Sequence, residues 1–185
     1  MVTHLTSVLA ALLAALLLMT AQALAQGAAV NIVAIGASNT SGWGVTGRAA
    51  YPERLEDLLR AQGHDARVVN AGVVLDTTAG MLRRLDAAVP DGTRVVILQP
   101  GGNDIRFLRS KEQRAANIAE MVQRLAKRKI PAIVYDPVFP PDSYQWDGIH
   151  LTATAHARIA AELLPKVAKF IKPKAKKQPA GSTPR

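Results

Sequence analysis

The chain has 185 residues, 23 Lys and Arg against 14 Asp and Glu, a net charge of +9, and no cysteine. That length fits one domain with a core of its own, and the lack of cysteine excludes a disulfide framework, a thiolate zinc site and a catalytic thiol. The charge is uneven: residues 1–25 carry no Asp, Glu, Lys or Arg, residues 166–185 carry seven basic side chains and no acidic one, and 26–165 hold 16 basic against 14 acidic. The excess is therefore a tail rather than a basic groove, and no nucleic-acid partner is expected.

In chain order, Val8 to Met19 (VLAALLAALLLM) is an apolar run followed by Ala21-Gln22-Ala23 and Ala23-Leu24-Ala25. The run is short against the ~20 residues of a membrane span. It reads as a signal peptide over 1–25, cut after Ala25, and the expected location is periplasmic or secreted. The leading segment has no Lys or Arg, so an uncleaved anchor stays open; with no cysteine at the cut, a lipoprotein is excluded.

After the leader, apolar runs alternate with helical patterns. Val30–Ile35 is a strand, and 52–62 a helix with Leu55, Leu58 and Leu59 on one face and Gly63 as its stop. Arg67–Asn70 is a second strand, 77–89 a second helix with Leu82, Leu85 and Val89 on one side, and 94–99 a third strand. Ser110 and Gln113 form a capping box before a long helix that buries Ala115, Ile118, Ala119, Val122 and Leu125. Ile130–Tyr135 is a fourth strand. Thr152 caps a last helix with Ile159, Leu163 and Val167 inward, and Pro165 should kink or end it. Such alternation predicts an α/β fold, a mainly parallel sheet covered on both faces, with functional groups just beyond the carboxyl ends of the strands. The domain is expected over 26–171, and the Lys/Pro-rich 172–185 as a disordered basic tail.

Four segments stand where that rule puts chemistry. Gly36-Ala37-Ser38-Asn39 follows the first strand; taken alone, such a serine is more often a turn or cap residue, yet it can be a nucleophile if nearby N–H groups receive an oxyanion. Asn70-Ala71-Gly72 follows the second strand, and its glycine lets backbone approach a bound group. Gly101-Gly102-Asn103-Asp104 follows the third and offers an amide donor. Asp147 and His150, three residues apart before the last helix, can form a carboxylate–imidazole pair in which the free ring nitrogen acts as base.

Together, in this order, these blocks resemble the SGNH (GDSL-type) hydrolase family, most of all its small exported esterase, thioesterase and lysophospholipase members, over roughly residues 30–165. The resemblance implies a three-layer α/β/α sandwich with four to five strands. It implies Ser38, Asp147 and His150 as the catalytic triad, Ser38, Gly72 and Asn103 as oxyanion-hole donors, a small-molecule or lipid ester as substrate, and no cofactor. Three departures are visible. Ala37 replaces the family's usual Asp, Val74 and Leu75 replace a Ser-Gly pair, and only 137–146 separate Asp136 from Asp147. The last departure predicts a four-stranded core with the fifth strand absent or vestigial and a site open on that side.

Trp43, Val74 and Trp146 are candidates for lining the substrate pocket, with a core role equally open for both tryptophans. Gly42-Trp43-Gly44-Val45-Thr46-Gly47 fits a dinucleotide fingerprint in letters only, since it does not sit at the strand–helix turn. His64 reads as a solvated turn residue and His156 as packing or surface. No His/Asp/Glu cluster has metal-ligand spacing, so no metal is expected. Two other functions share the pattern: an O-acetyl-glycan deacetylase with the same triad, and a non-catalytic envelope binding protein on the same fold. The basic tail fits weak contact with an anionic envelope surface. Terminal sequencing of the protein purified from its own cells should read Gln26 first; a chain still beginning at Met1 overturns the cleaved leader.

Overall fold

The structure is a computed structural model and describes residues 30–171. The leader and the tail of 172–185 lie outside the described residues. In order, the elements are β1 (Val30–Gly36), α1 (Ser38–Ser41), α2 (Tyr51–Ala61), β2 (Ala66–Gly72), α3 (Thr78–Ala88), β3 (Val95–Gln99), α4 (Asn103–Arg106), α5 (Lys111–Lys127), β4 (Ala132–Val134), a 3-10 turn (Pro141–Ser143) and α6 (Ala153–Ala168). The strands form one parallel sheet in the order β2-β1-β3-β4. Four strands are present among the described residues, as the short 137–146 connection predicts.

Alternation along the strands divides the core in two. Ile32 and Ala34 of β1 face one layer, where α2 contributes Tyr51, Leu55 and Leu59 and α6 contributes Ile159, Leu163 and Val167. Val33 and Ile35 face the other, against Met81 and Leu85 of α3 and Met121 and Leu125 of α5. Both sheet faces are thus covered, and β3, central in the sheet, is buried along its whole length. This is the expected α/β/α sandwich.

The caps follow the sequence. Thr77, Ser110 and Thr152 each accept a backbone N–H from three residues downstream, starting α3, α5 and α6. Gly63, with φ of 83°, ends the turn after α2. Three expectations change. α5 is rotated relative to the apolar pattern: Ala115 and Ala119 are exposed, while the polar Asn117 is buried. Asn117 can go inside because its amide donates to Thr78 Oγ1 at 2.9 Å and accepts from Gln113 Nε2 at 3.0 Å. Pro165 does not stop α6 at once, and the helix runs one more turn to Ala168. His64 is buried rather than solvated; its backbone N–H bonds Leu59 O at 3.0 Å, which folds it back under α2.

His156 is fully buried on α6, stacked on Tyr51, and its Nδ1 accepts the Tyr51 N–H at 3.3 Å. It therefore caps the first turn of α2 from another element. Burial pushes its pKa down to about 4 from the usual 6.5. The unfolded chain takes up a proton that the folded chain refuses, so this stability is intact above pH 6.5 and is lost as pH falls toward 4. At about 1.4 kcal/mol per pH unit, the loss approaches about 3 kcal/mol. Urea unfolding between pH 7 and 4 should show this decline, and His156→Asn, which keeps an acceptor for Tyr51, should be less stable at pH 7 but flatter with pH.

Candidate active site

Three neighbouring strands, β2, β1 and β3, end level with one another: Gly36 is in register with Gly72 on one side and Gln99 on the other. The chain then turns straight into α1. A side chain at position 36 would run into the Thr40 side chain and Gln99 O, and one at 72 into the Ser41 backbone. Only glycine lets α1 lie this close over the strand ends. Ser38 opens α1, mostly buried but lining a cleft. The second block thus lies within the last residues of β2 rather than after it, and Gly72 closes the strand.

The Ala37 side chain supplies no polar group to this turn. Support comes instead from Arg84, whose Nη2 donates to Gly36 O at 3.1 Å while its Nε donates to Asp76 Oδ2 at 2.8 Å. Val73 N also donates to Gly36 O, at 3.0 Å. Asp76 in turn offers its carbonyl to Asn103 Nδ2 at 2.8 Å. One amide hydrogen of Asn103 is held there, which leaves the other for a bound group. The neighbouring Asp104 is buried and accepts from Thr78 N at 2.9 Å and Thr78 Oγ1 at 2.6 Å, so it ties the β3 loop to the start of α3. Gly72 N–H is already engaged, by Asn70 Oδ1 at 3.0 Å.

Asp147 and His150 do meet. His150 Nδ1 lies 2.6 Å from Asp147 Oδ2, and Asp147 Oδ1 accepts the backbone N–H groups of Ile149 at 2.9 Å and His150 at 3.0 Å. The His150 N–H, the imidazole and the Ile149 N–H, in that order, hold the Asp147 pKa down at about 2. The carboxylate is therefore charged at any ordinary pH, and it fixes the ring by one nitrogen.

Residue 39 brings this pair to the serine. Asn39 Oδ1 accepts Leu151 N–H at 3.0 Å and its Nδ2 donates to Ile149 O at 3.4 Å, so one side chain grips the backbone on both sides of His150. Gln145 Nε2 adds a second tie, donating to Trp43 O at 3.1 Å and Leu151 O at 2.8 Å. No hydrogen bond joins the Ser38 hydroxyl to His150 among the described residues; nucleophile–base bonds commonly tighten only around a substrate. Sequence reasoning missed the parts played by Asn39, Gln145 and Arg84. The one available signal was an amide directly after the candidate nucleophile.

The cleft has a volume of about 530 Å³. Ser38, Asn103 and Gly101 lie on one side, and Ile105, Val138, Phe139 and Ile149 make much of the rest. An ion pair forms part of its wall, with Arg114 Nη2 donating to Asp136 Oδ2 at 2.7 Å and to Gly101 O at 3.1 Å. Trp43, Val74 and Trp146 do not line it. Trp43 stands half exposed against His150, with ring centroids 5.9 Å apart, and Trp146 is almost wholly exposed, so neither has a core role. Val74 is exposed on the loop after β2.

The sequence profile of the GDSL-like Lipase/Acylhydrolase family matches residues 34–173. The chain belongs to this family. It is 31% identical over 129 residues to Esterase TesA of Pseudomonas aeruginosa (strain PAO1), a stretch that covers 69% of this chain and 62% of that protein, less than two thirds of the relative's length. A crystal structure of TesA superposes with a TM-score of 0.70 at 22% identity, covering 76% of this chain and 99% of the other. At that identity the likeness speaks for the fold. AlinE4, described as an SGNH-hydrolase family esterase, superposes with a TM-score of 0.59 at 28% identity over 78% of this chain and 97% of its own. The resemblance read from the four sequence blocks is thereby borne out.

Because the Asp147 pKa is depressed, its share of stability is present above pH 3.8 and lost only as pH falls through about 2. Carboxyl NMR should find Asp147 still ionised at pH 3 in the wild type, and His150→Ala should move its midpoint upward.

Proposed function

We propose that the protein hydrolyses carboxylic esters or thioesters through an acyl-enzyme on Ser38. The observation that carries this reading is the Asn39 grip: it ties the loop of the Asp147–His150 pair to the turn that holds Ser38, next to a cleft lined by Ser38, Asn103 and Ile149. In the first step His150 takes the Ser38 proton, Ser38 Oγ bonds to the acyl carbon, and the bond to the leaving oxygen or sulfur breaks as His150 returns the proton. In the second step a water gives its proton to His150, its oxygen attacks the acyl carbon, and Ser38 leaves with that proton. Asp147 stays charged and steadies the imidazolium in both. Donors for the oxyanion are the Ser38 N–H, the free amide hydrogen of Asn103 and the Gly72 N–H, the last of which must be shared with Asn70.

The apolar lining contributed by Val138, Phe139 and Ile149 supports an acyl chain as occupant over an acetylated sugar. The intact His150–Asp147 pair supports a catalyst over a binding protein. Export rests on the Val8–Met19 run and the A-x-A sites, and we carry it as part of the proposal.

The test is turnover of p-nitrophenyl esters from acetate to palmitate, with an acyl-CoA, a lysophospholipid and acetylated xylan in the same panel. Ser38→Ala should abolish both hydrolysis and labelling by a fluorophosphonate. Asn103→Ala should lower kcat by ~10²–10³ with the fold retained by circular dichroism. Hydrolysis surviving in Ser38→Ala removes the reading, and turnover of acetylated xylan alone would favour the deacetylase.

A further inference from the structure

Three non-glycine residues among those described have positive φ: Leu75 at 65°, Leu108 at 54° and Lys129 at 58°. Lys129 closes the last turn of α5, where its N–H bonds Ala126 O at 2.9 Å, an ordinary helix ending. Leu108 ends α4 in the same way, its N–H on Ile105 O at 3.0 Å, and Leu75 lies in a turn closed by Asp76 N–H on Val73 O at 3.1 Å. Left-handed backbone is strained for a bulky side chain, and burial does not offset the strain, since Leu75 is 57% and Leu108 93% exposed. These turns hold both leucine side chains out in solvent.

The two leucines share one end of the molecule. All four strands are parallel, so the loops leaving their carboxyl ends emerge together around the cleft. Leu75 is on the loop after β2 and Leu108 on the one after β3. Val138 on the loop after β4 is 98% exposed. Trp146, 97% exposed, stands on a turn whose base is pinned by the Tyr144–Leu151 bridge and by Gln145 N–H on His150 O at 2.7 Å. Large apolar side chains are therefore displayed on three sides of one opening.

Cations are interleaved with them. The segment after α4 begins reads Ile105-Arg106-Phe107-Leu108-Arg109. Arg84, Arg114 and Arg128 are each paired with a carboxylate, whereas Arg106 and Arg109 make no ion pair and no side-chain hydrogen bond among the described residues. Asp104, the acid nearest Arg106 in sequence, is buried on Thr78, and the exposed Glu112 near Arg109 is preceded by Lys111. Exposed apolar tips with unpaired arginines between them form the pattern of an interfacial surface: hydrocarbon for the tips and phosphate for the cations. The core of a protein interface is one continuous apolar patch, whereas here the apolar tips stand on separate loops.

We propose that this rim docks on an anionic phospholipid surface, with Leu75, Leu108 and Trp146 entering the acyl boundary and Arg106 and Arg109 on lipid phosphates. The cleft then opens toward the lipid. The proposal concerns binding, and does not require the Ser38 chemistry.

The chain supplies its own reporter, because its two tryptophans, Trp43 and Trp146, are both on this end and exposed. The experiment uses the full chain carrying Ser38→Ala, so that no lipid is cleaved, with phosphatidylglycerol/phosphatidylcholine vesicles and pure phosphatidylcholine as control. Anionic vesicles should shift tryptophan emission to the blue, a signal that charge in residues 166–185 alone cannot give. Arg109→Gln should weaken partition by about fivefold and Leu108→Asn by about tenfold. Asparagine tolerates left-handed backbone, so Leu108→Asn should keep or raise Tm, and on the wild-type background it should leave hydrolysis of p-nitrophenyl acetate unchanged. Three results would overturn the proposal: no emission shift with anionic vesicles, partition unaltered in both variants, or a concentration-dependent dimer that shifts the tryptophans without lipid. Binding in Ser38→Ala alongside a failed ester assay would sink the proposed reaction and leave the docking surface standing.

Discussion

Everything at this site depends on two missing side chains. β1 and β2 run level and end on Gly36 and Gly72, and α1 folds back over both with no room for a Cβ at either. That closeness sets Ser38 on a sharp turn at the sheet's end, where its hydroxyl reaches a cleft although the residue is mostly buried. The Gly36 carbonyl, left pointing out of the strand, becomes the anchor for Val73 N–H and Arg84. Backbone spacing comes first, and the polar groups are arranged on it.

A chain of polar ties then spreads from this turn. Arg84 holds Asp76, Asp76 holds the amide of Asn103, and Asp104 beside it holds Thr78, which receives Asn117 from α5. Each member is satisfied by the next, so a run of buried polar atoms is tolerated between the sheet and its helices. On the other side Asn39 and Gln145 do the same for the His150 loop. Loops from β1, β2, β3 and the start of α6 are thereby held to one another as well as to the sheet, which is what a preorganised site needs.

Groups whose chemistry demands a residue type were legible in the sequence. Serine, amide, carboxylate and imidazole, in order and each after a strand or before the last helix, marked Ser38, Asn103, Asp147 and His150 as candidates, and the fold brings their segments to one end of the sheet. Strand and helix order was legible for the same reason, since period two and period 3.6 are local. What was hidden depends on partners far along the chain. Asn39 bonds a residue 112 positions away, and nothing near it announces that. Asn117 is inward because Thr78 meets it, whereas a count of apolar residues turned α5 toward Ala115 and Ala119. His64 follows a glycine and reads as solvated, yet packing decides its burial. Trp146 shows the reverse: pocket lining and a core role were both open for it, and it faces outward.

β4 is only three residues long and forms one edge of the sheet. Its neighbours along the chain matter for what cannot attach to it. Pro131 precedes it and Pro137 follows, with Pro140 and Pro141 beyond. Proline offers no N–H, so an incoming strand could form few ladder bonds before it ran out of donors. Exposed sheet edges are templates for aggregation, and proline is one of the means by which proteins blunt them. The compact connection that follows β4 in this protein thus also guards this edge of the sheet against growth by addition of another chain.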